Sequence, residues 1–204
     1  MGSKSESKRE ALRVRLVDAA EARIAAQGLR GLKARDVTAD AGCSLGALYN
    51  SVEDLDRLVI LVNSRTLNRL GDVLRDAVVV DVTPTETIQS LARAYIDFAV
   101  NNSRLWSAIF FHRLPDDVEI PDWYKKEHAV LIEQIIAPLA AMRPDLGLEA
   151  LRLRAQTMFA AVHGVVQLSF HGRHVGTPPE CLASEVEALV DALTRGTHLA
   201  VSSK

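Results

Sequence analysis

Cysteine is nearly absent from this 204-residue chain, and its two thiols, Cys43 and Cys181, have neither disulfide nor metal spacing. A disulfide-built fold is excluded, and a reducing, cytoplasmic setting is expected. No apolar run approaches the roughly 20 residues needed to span a bilayer. The opening, Met1 to Glu10, is too polar for a secretory signal, so no membrane association is expected. Aromatic residues make up only 5% of the chain. There is no glycine-rich phosphate loop, no Gly-x-Ser-x-Gly elbow and no convincing carboxylate pair. Catalysis and a bound cofactor are therefore not expected. The only metal-like grouping is His171-Gly-Arg-His174 with nearby Cys181, three potential ligands in a linker, and no metal site is assigned to it. Strand-like alternation and internal repeats are missing as well.

What remains is helical. Hydrophobic residues at 48% and charged residues at 25% give the balance of a globular protein with a substantial core. Leu12, Leu16, Ala20 and Ile24 recur every four residues from Lys8 to Gln27, and Gly28 closes that helix. A short helix from Lys33 to Ala41 stops at Gly42. Ser44 caps another that runs to about Asn50, and Ser51 is expected to cap a fourth reaching about Val79. Pro84 opens a helix to Asn101, and Ser103 is expected to cap a short aromatic one, Leu105 to Phe111. A helix from Trp123 to Met142 is expected to bend or shorten at Pro138. Two long helices, Glu149 to Phe170 and Glu180 to about Val201, follow across a Gly- and Pro-containing linker.

The net charge of -2 conceals an asymmetry. Residues 1–50 carry nine basic and six acidic side chains, a balance of +3, so the remainder carries -5. A basic head on an acidic body suits a phosphate-binding module joined to a regulatory one. The head has the matching layout. A helix entering a major groove needs small exposed side chains and a few reaching donors. Ser44-Leu-Gly-Ala-Leu-Tyr-Asn50 provides these: Leu48 faces inward, Gly46 and Ala47 permit close approach, and Tyr49, Asn50 and Ser44 offer polar groups. Gly42 supplies the positive φ of the turn.

The run Ala34-Arg-Asp-Val, then Ala41-Gly-Cys-Ser-Leu-Gly-Ala-Leu-Tyr49, resembles the N-terminal domain of the TetR-type family of bacterial transcriptional regulators. Leu16-Val-Asp-Ala-Ala20, Gly28-Leu-Arg-Gly31 and Asp54-Leu-Asp-Arg-Leu58 fit the same pattern, so the likeness covers about Lys8 to Leu61. It implies an all-α protein. Residues 1–52 would form a three-helix helix-turn-helix domain, and 53–204 a larger helical ligand-binding and dimerisation domain. Lys33, Ala34, Arg35, Ser44, Leu45, Gly46, Ala47, Tyr49, Asn50 and Ser51 would then meet DNA. The chain departs from the family at Lys33, where Thr or Ser is usual, at Ser51-Val52, usually His-Phe, and at Leu55, usually Lys. Phosphate contacts would be altered there, with Lys8, Arg9 and Arg13 available to compensate.

A looser likeness in the body, His163-Gly164 in an apolar frame, resembles the branch of that family with a Trp-His-Gly signature, Val162 standing at the Trp position. It implies a small-molecule effector and a homodimer built from the last two helices. Leu151, Ala155, Met158, Val162 and Val165, with Ser169, form one stripe; Leu182, Val186, Leu189 and Leu193, with Thr197, form another. These are the expected dimer surfaces. Such a dimer would bind a palindromic operator in double-stranded DNA, its reading helices roughly 34–36 Å apart. The expected pocket gathers Tyr95, Phe98, Trp106, Phe110, Trp123, Tyr124, Met158, Phe159, His163 and Gln167 around a mainly apolar ligand. The competing reading is an all-helical protein-binding adaptor, which would lack the steep salt dependence of DNA binding.

Overall fold

The computed structural model describes residues 2–115, 118–171 and 175–196. Within these, every regular element is a helix. They are α1 (Gly2–Gln27), a 3-10 turn (Leu29–Gly31), α2 (Ala34–Asp40), α3 (Leu45–Val52), α4 (Leu55–Asp76), α5 (Pro84–Asn101), α6 (Ser103–Phe111), α7 (Asp122–Glu127), α8 (Val130–Met142), α9 (Leu148–His171) and α10 (Leu182–Gly196). The all-α class expected from the sequence is the observed one. None of these helices is long and apolar enough to cross a membrane. Gly172, His174, Thr197 and the expected helix end near Val201 lie outside the described residues.

The chain forms two compact units, Met1–Arg69 with Asn102–Glu127, and Leu70–Asn101 with His128–Lys204. The expected division at 52/53 is one of role, and compactness divides the chain elsewhere. Leu58, Val59 and Val62 of α4, with Leu105 and Ala108 of α6, share one core with Leu16, Ala20, Ile24, Val37 and Leu48. Burying those apolar stripes together removes them from water, which holds the short helices in place.

Ion pairs fix the register of the first unit. Arg65 meets Asp18 at 2.6 Å and Glu21 at 3.0 Å, and Arg69 meets Glu21 at 2.7 Å, tying α4 to α1. Arg104 of α6 donates to the carbonyls of Ala25 and Ala26, satisfying acceptors that the end of α1 leaves open. In the second unit α5 packs against α8 and α10, and α9 packs against α8 and α10. Its α5 begins with a reciprocal capping box that the sequence reading missed. The Thr83 hydroxyl accepts from the Glu86 N–H at 3.2 Å, and the Glu86 carboxylate accepts from the Thr83 N–H at 2.7 Å.

Several expected boundaries move. Ser51 does not cap α4: α3 continues through buried Val52, Glu53 turns the chain at φ 70°, and Asp54 caps α4 by accepting from the Arg57 N–H at 2.6 Å. Ser103 is the first residue of α6, not its cap. The segment expected to bend or shorten at Pro138 breaks instead between Glu127 and Val130, and buried Pro138 stays inside α8. The α4 helix ends at Asp76, short of Val79.

Candidate nucleic-acid interface and ligand cavity

The first site is the α2–α3 pair. Ala41, the C-cap of α2, is followed by Gly42 at φ 64°, a conformation that costs a residue with a Cβ but suits glycine. The chain then extends to Ser44, whose hydroxyl accepts from the Ala47 N–H at 3.2 Å and so starts α3. Val37 of α2 and Leu48 of α3 are fully buried, fastening both helices to the core. Arg23 of α1 holds α2 from outside through a two-point contact with Asp40, at 2.6 and 2.9 Å. That hydrogen bond keeps the Asp40 carboxyl below the usual carboxylate range.

With Leu48 anchored inward, the opposite face of α3 must point to solvent. Ser44, Leu45, Gly46, Tyr49 and Asn50 are exposed, Ala47 is half-buried, and Lys33 and Arg35 are exposed at the start of α2, with Ala34 half-buried between them. Tyr49 is 47% exposed and Leu45 38%, large apolar surfaces for so short a helix. No side chain bulkier than these obstructs the face, and a Cβ built at Gly46 would meet nothing within 4 Å. Ser51 differs from the rest: its hydroxyl is buried without a hydrogen-bond partner. Lys33 occupies the N-cap position of α2 without supplying a side-chain cap, leaving its ammonium exposed.

The second site is a small apolar cavity of about 40 Å³ in the second unit. Leu74 of α4, Leu91 and Tyr95 of α5, Gln134 and Ile135 of α8, Met158 and Phe159 of α9 and Val190 of α10 are among its lining residues, and no charged side chain lines it. Next to it the Tyr95 hydroxyl lies 2.8 Å from Nδ1 of His163. Phe159 stacks on the imidazole, with centroids 5.5 Å apart and planes within 20°. Burial pushes the His163 pKa below its ordinary value of 6.5. In the Nε2–H tautomer a neutral ring accepts from the tyrosine at Nδ1; in the Nδ1–H tautomer it donates to the tyrosine oxygen.

The structure distributes the expected pocket residues between the two units. Tyr95, Met158 and Phe159 line the cavity; Phe98, His163 and Gln167 belong to the same unit. Trp106, Phe110, Trp123 and Tyr124 belong to the first unit. Trp106 is fully buried there and packs against Phe110 at 5.2 Å. Tyr124 is buried too, and desolvation raises its phenol to about 12 although a hydrogen bond with Asn63 opposes the shift. Aliphatic Leu91, Ile135 and Val190 were missed because one more buried leucine or valine carries no local signal in a helix.

The expected dimer stripes also need placing. Leu151, Ala155, Met158, Val162, Leu182 and Val186 are buried inside their own protomer, while Val165, Leu189 and Leu193 are half-buried. The periodic apolar residues on α9 and α10 thus close the second unit's own core. A different face of α9 is left to solvent, with Leu153 at 65%, Leu168 at 48% and exposed Ala160, and on α10 Ala188 and Ala192 are exposed. Among the described residues, no group of three or more His, Cys, Asp and Glu side chains could hold a metal ion.

Solved structures share this architecture. The chain is similar to a protein of unknown function from Rhodococcus sp. RHA1, at 24% identity and TM-score 0.70, covering 91% of this chain and 94% of that one. It is similar to RolR in complex with resorcinol, at 16% identity and TM-score 0.66, covering 97% and 98%. It is similar also to FadR from Bacillus subtilis in complex with stearoyl-CoA, at 14% identity and TM-score 0.68, covering 91% and 99%. At these identities the likeness establishes the fold. No curated protein matches the chain by sequence. Residues 88–193, more than half of the chain, match the family of tetracycline repressor-like C-terminal domains. On that match and the helix-turn-helix head, the chain belongs to the tetracycline repressor-like family of transcriptional regulators.

Proposed function

We propose that this protein is a homodimeric cytoplasmic repressor, without catalytic activity, that a small, mainly apolar ligand releases from a palindromic operator. The observation that carries the reading is the exposed face of α3, Ser44, Leu45, Gly46, Tyr49 and Asn50, standing over a fully buried Leu48. Small residues let the backbone approach a groove, and Asn50 and Tyr49 supply reaching groups. Lys33, Ala34 and Arg35 would meet the DNA backbone or a groove edge, and Leu45, Gly46 and Ala47 the bases. Ser51, with its hydroxyl turned inward, would contribute through shape.

The ligand reading rests on the second unit's cavity. RolR and FadR hold ligands as different as resorcinol and stearoyl-CoA, so the lining of each protein must set its own choice. Here the lining lacks charged side chains, which favours a neutral, compact ligand oriented by Tyr95, Gln134 and His163. A space of about 40 Å³ is smaller than the roughly 150 Å³ of a cavity known to take up benzene. Ligand entry must therefore displace lining side chains, Leu74 of α4 among them. The same helix carries Arg65 and Arg69, paired with α1 in the first unit. Displacement of α4 is the proposed route from ligand to DNA, and the coupling must be reciprocal. The dimer would use the solvent-facing side of α9 and α10, around Leu153, Ala160, Leu168, Ala188 and Ala192.

The test is a salt titration of the intact protein on DNA sites selected from genomic fragments. Operator affinity should fall steeply and log-linearly as salt rises, and the selected sites should be palindromic. Salt-insensitive binding, or no selected sites at all, would favour the adaptor reading and remove this one.

A further inference from the structure

Within the first unit lies a second, larger recess that the DNA-reading face does not use. It is an open groove of about 530 Å³, within the range of roughly 300–1,000 Å³ typical of small-molecule sites. One wall is α1, which presents Arg9 and Arg13 one helical turn apart. Both are exposed, and neither has an ion-pair partner among the described residues. The other charged side chains at the groove are ion-paired. Arg57 pairs with Glu53 at 3.4 Å, and Lys125 is shared between Glu119 at 3.6 Å and Asp122 at 3.0 Å. Arg9 and Arg13 are thus the cations of the recess left without an ion pair among the described residues. Apolar residues line the groove among the charged ones: Leu61 of α4, and Trp123, 44% exposed, beside Ile120, 45% exposed. An exposed tryptophan facing a recess is available surface for a planar partner. Ser51 also lines the groove, its hydroxyl buried and without a hydrogen-bond partner. A buried polar atom without a partner carries a cost that a bound polar group would relieve.

We infer that this groove is a binding site for an aromatic carboxylate. Its anion would lie between Arg9 and Arg13, and its ring against Trp123 and Leu61. Two guanidiniums can present paired N–H donors to one carboxylate, a geometry that a neutral ligand cannot exploit. The groove includes Ser51, Val52 and Glu53, the C-terminal end of α3. A ligand there would touch the reading helix directly, as an input separate from the second unit's cavity.

The test uses the full-length protein and 2-naphthoate, with 2-naphthalenemethanol as its neutral counterpart, by calorimetry. The naphthoate should bind about tenfold or more tightly than the alcohol, consistent with a charge-assisted contact. The double variant R9Q/R13Q should lose that preference, and Trp123→Ala should weaken both compounds. Met158→Trp, which fills the second unit's cavity, should leave naphthoate binding unchanged. Loss of binding in Met158→Trp with R9Q/R13Q unaffected would overturn the assignment. So would absence of saturable binding in a protein whose R9Q/R13Q variant weakens only its hold on DNA.

Discussion

The α3 face and the second unit's cavity are built by opposite strategies. The face is local: Gly42, Ser44, Leu48 and Tyr49 lie within eight positions, each with its own backbone or burial role. The cavity is assembled from Leu74 to Val190, from helices α4, α5, α8, α9 and α10. A local surface is shaped by one cap, one turn and one anchor. A distant cavity depends on how five helices pack, and each lining residue looks like ordinary core. The face is therefore fixed by local geometry, whereas the cavity is small and would have to open to admit a ligand of the proposed kind.

Breaking the anchor should produce the largest effect. Leu48→Ala removes a fully buried side chain from the first unit's core. It should cost about 2–5 kcal/mol of that unit's stability, read as a lowered thermal midpoint, and abolish DNA binding with it. Tyr49→Ala, one residue on, removes an exposed side chain. It should leave the midpoint nearly unchanged and weaken binding to all DNA sequences by about 0.5–1.5 kcal/mol. If the two variants behaved alike, the separation of anchor from reading face would fail.

A smaller effect is expected at Tyr95 and His163. Tyr95→Phe removes the hydroxyl facing Nδ1 and should cost about 1–3 kcal/mol, read by denaturant titration. The pH dependence has a definite sign. The folded-state pKa of His163 lies below its unfolded value, so the unfolded chain binds the proton more readily. The stability tied to the neutral ring is complete above pH 6.5, falls as pH drops below it, and levels off below the folded value. His163→Asn should flatten this part of the profile; an unchanged profile would assign it to another group.

The same contrast explains what could be read in advance. Gly42, Ser44 and Leu48 each declare a cap, a turn or an anchor by identity and spacing, and the structure places all three in those roles. Ser51 was misread as a cap because a serine before acidic residues is a valid signal. Burial of Val52 instead carries α3 two residues further, and Asp54 takes the capping role. Pro138 was misread as a bend or an early end because its effect on a helix depends on what surrounds it, and here it is buried within α8. The aromatic residues seemed to form one pocket, yet Trp106 and Tyr124 fill the first unit and Tyr95 and Phe159 the second. Aromatic identity marks burial, and only packing decides which core is filled. The stripes on α9 and α10 were periodic for the same reason, closing their own unit.

The central claim is that α3 reads DNA sequence through its exposed face. It is tested most directly by a randomised-site selection with the intact protein and its Asn50→Ala variant. The account predicts a changed base preference at one position in each half-site, with a discrimination loss of about 1–3 kcal/mol there and the other positions retained. An identical preference in both proteins would contradict it.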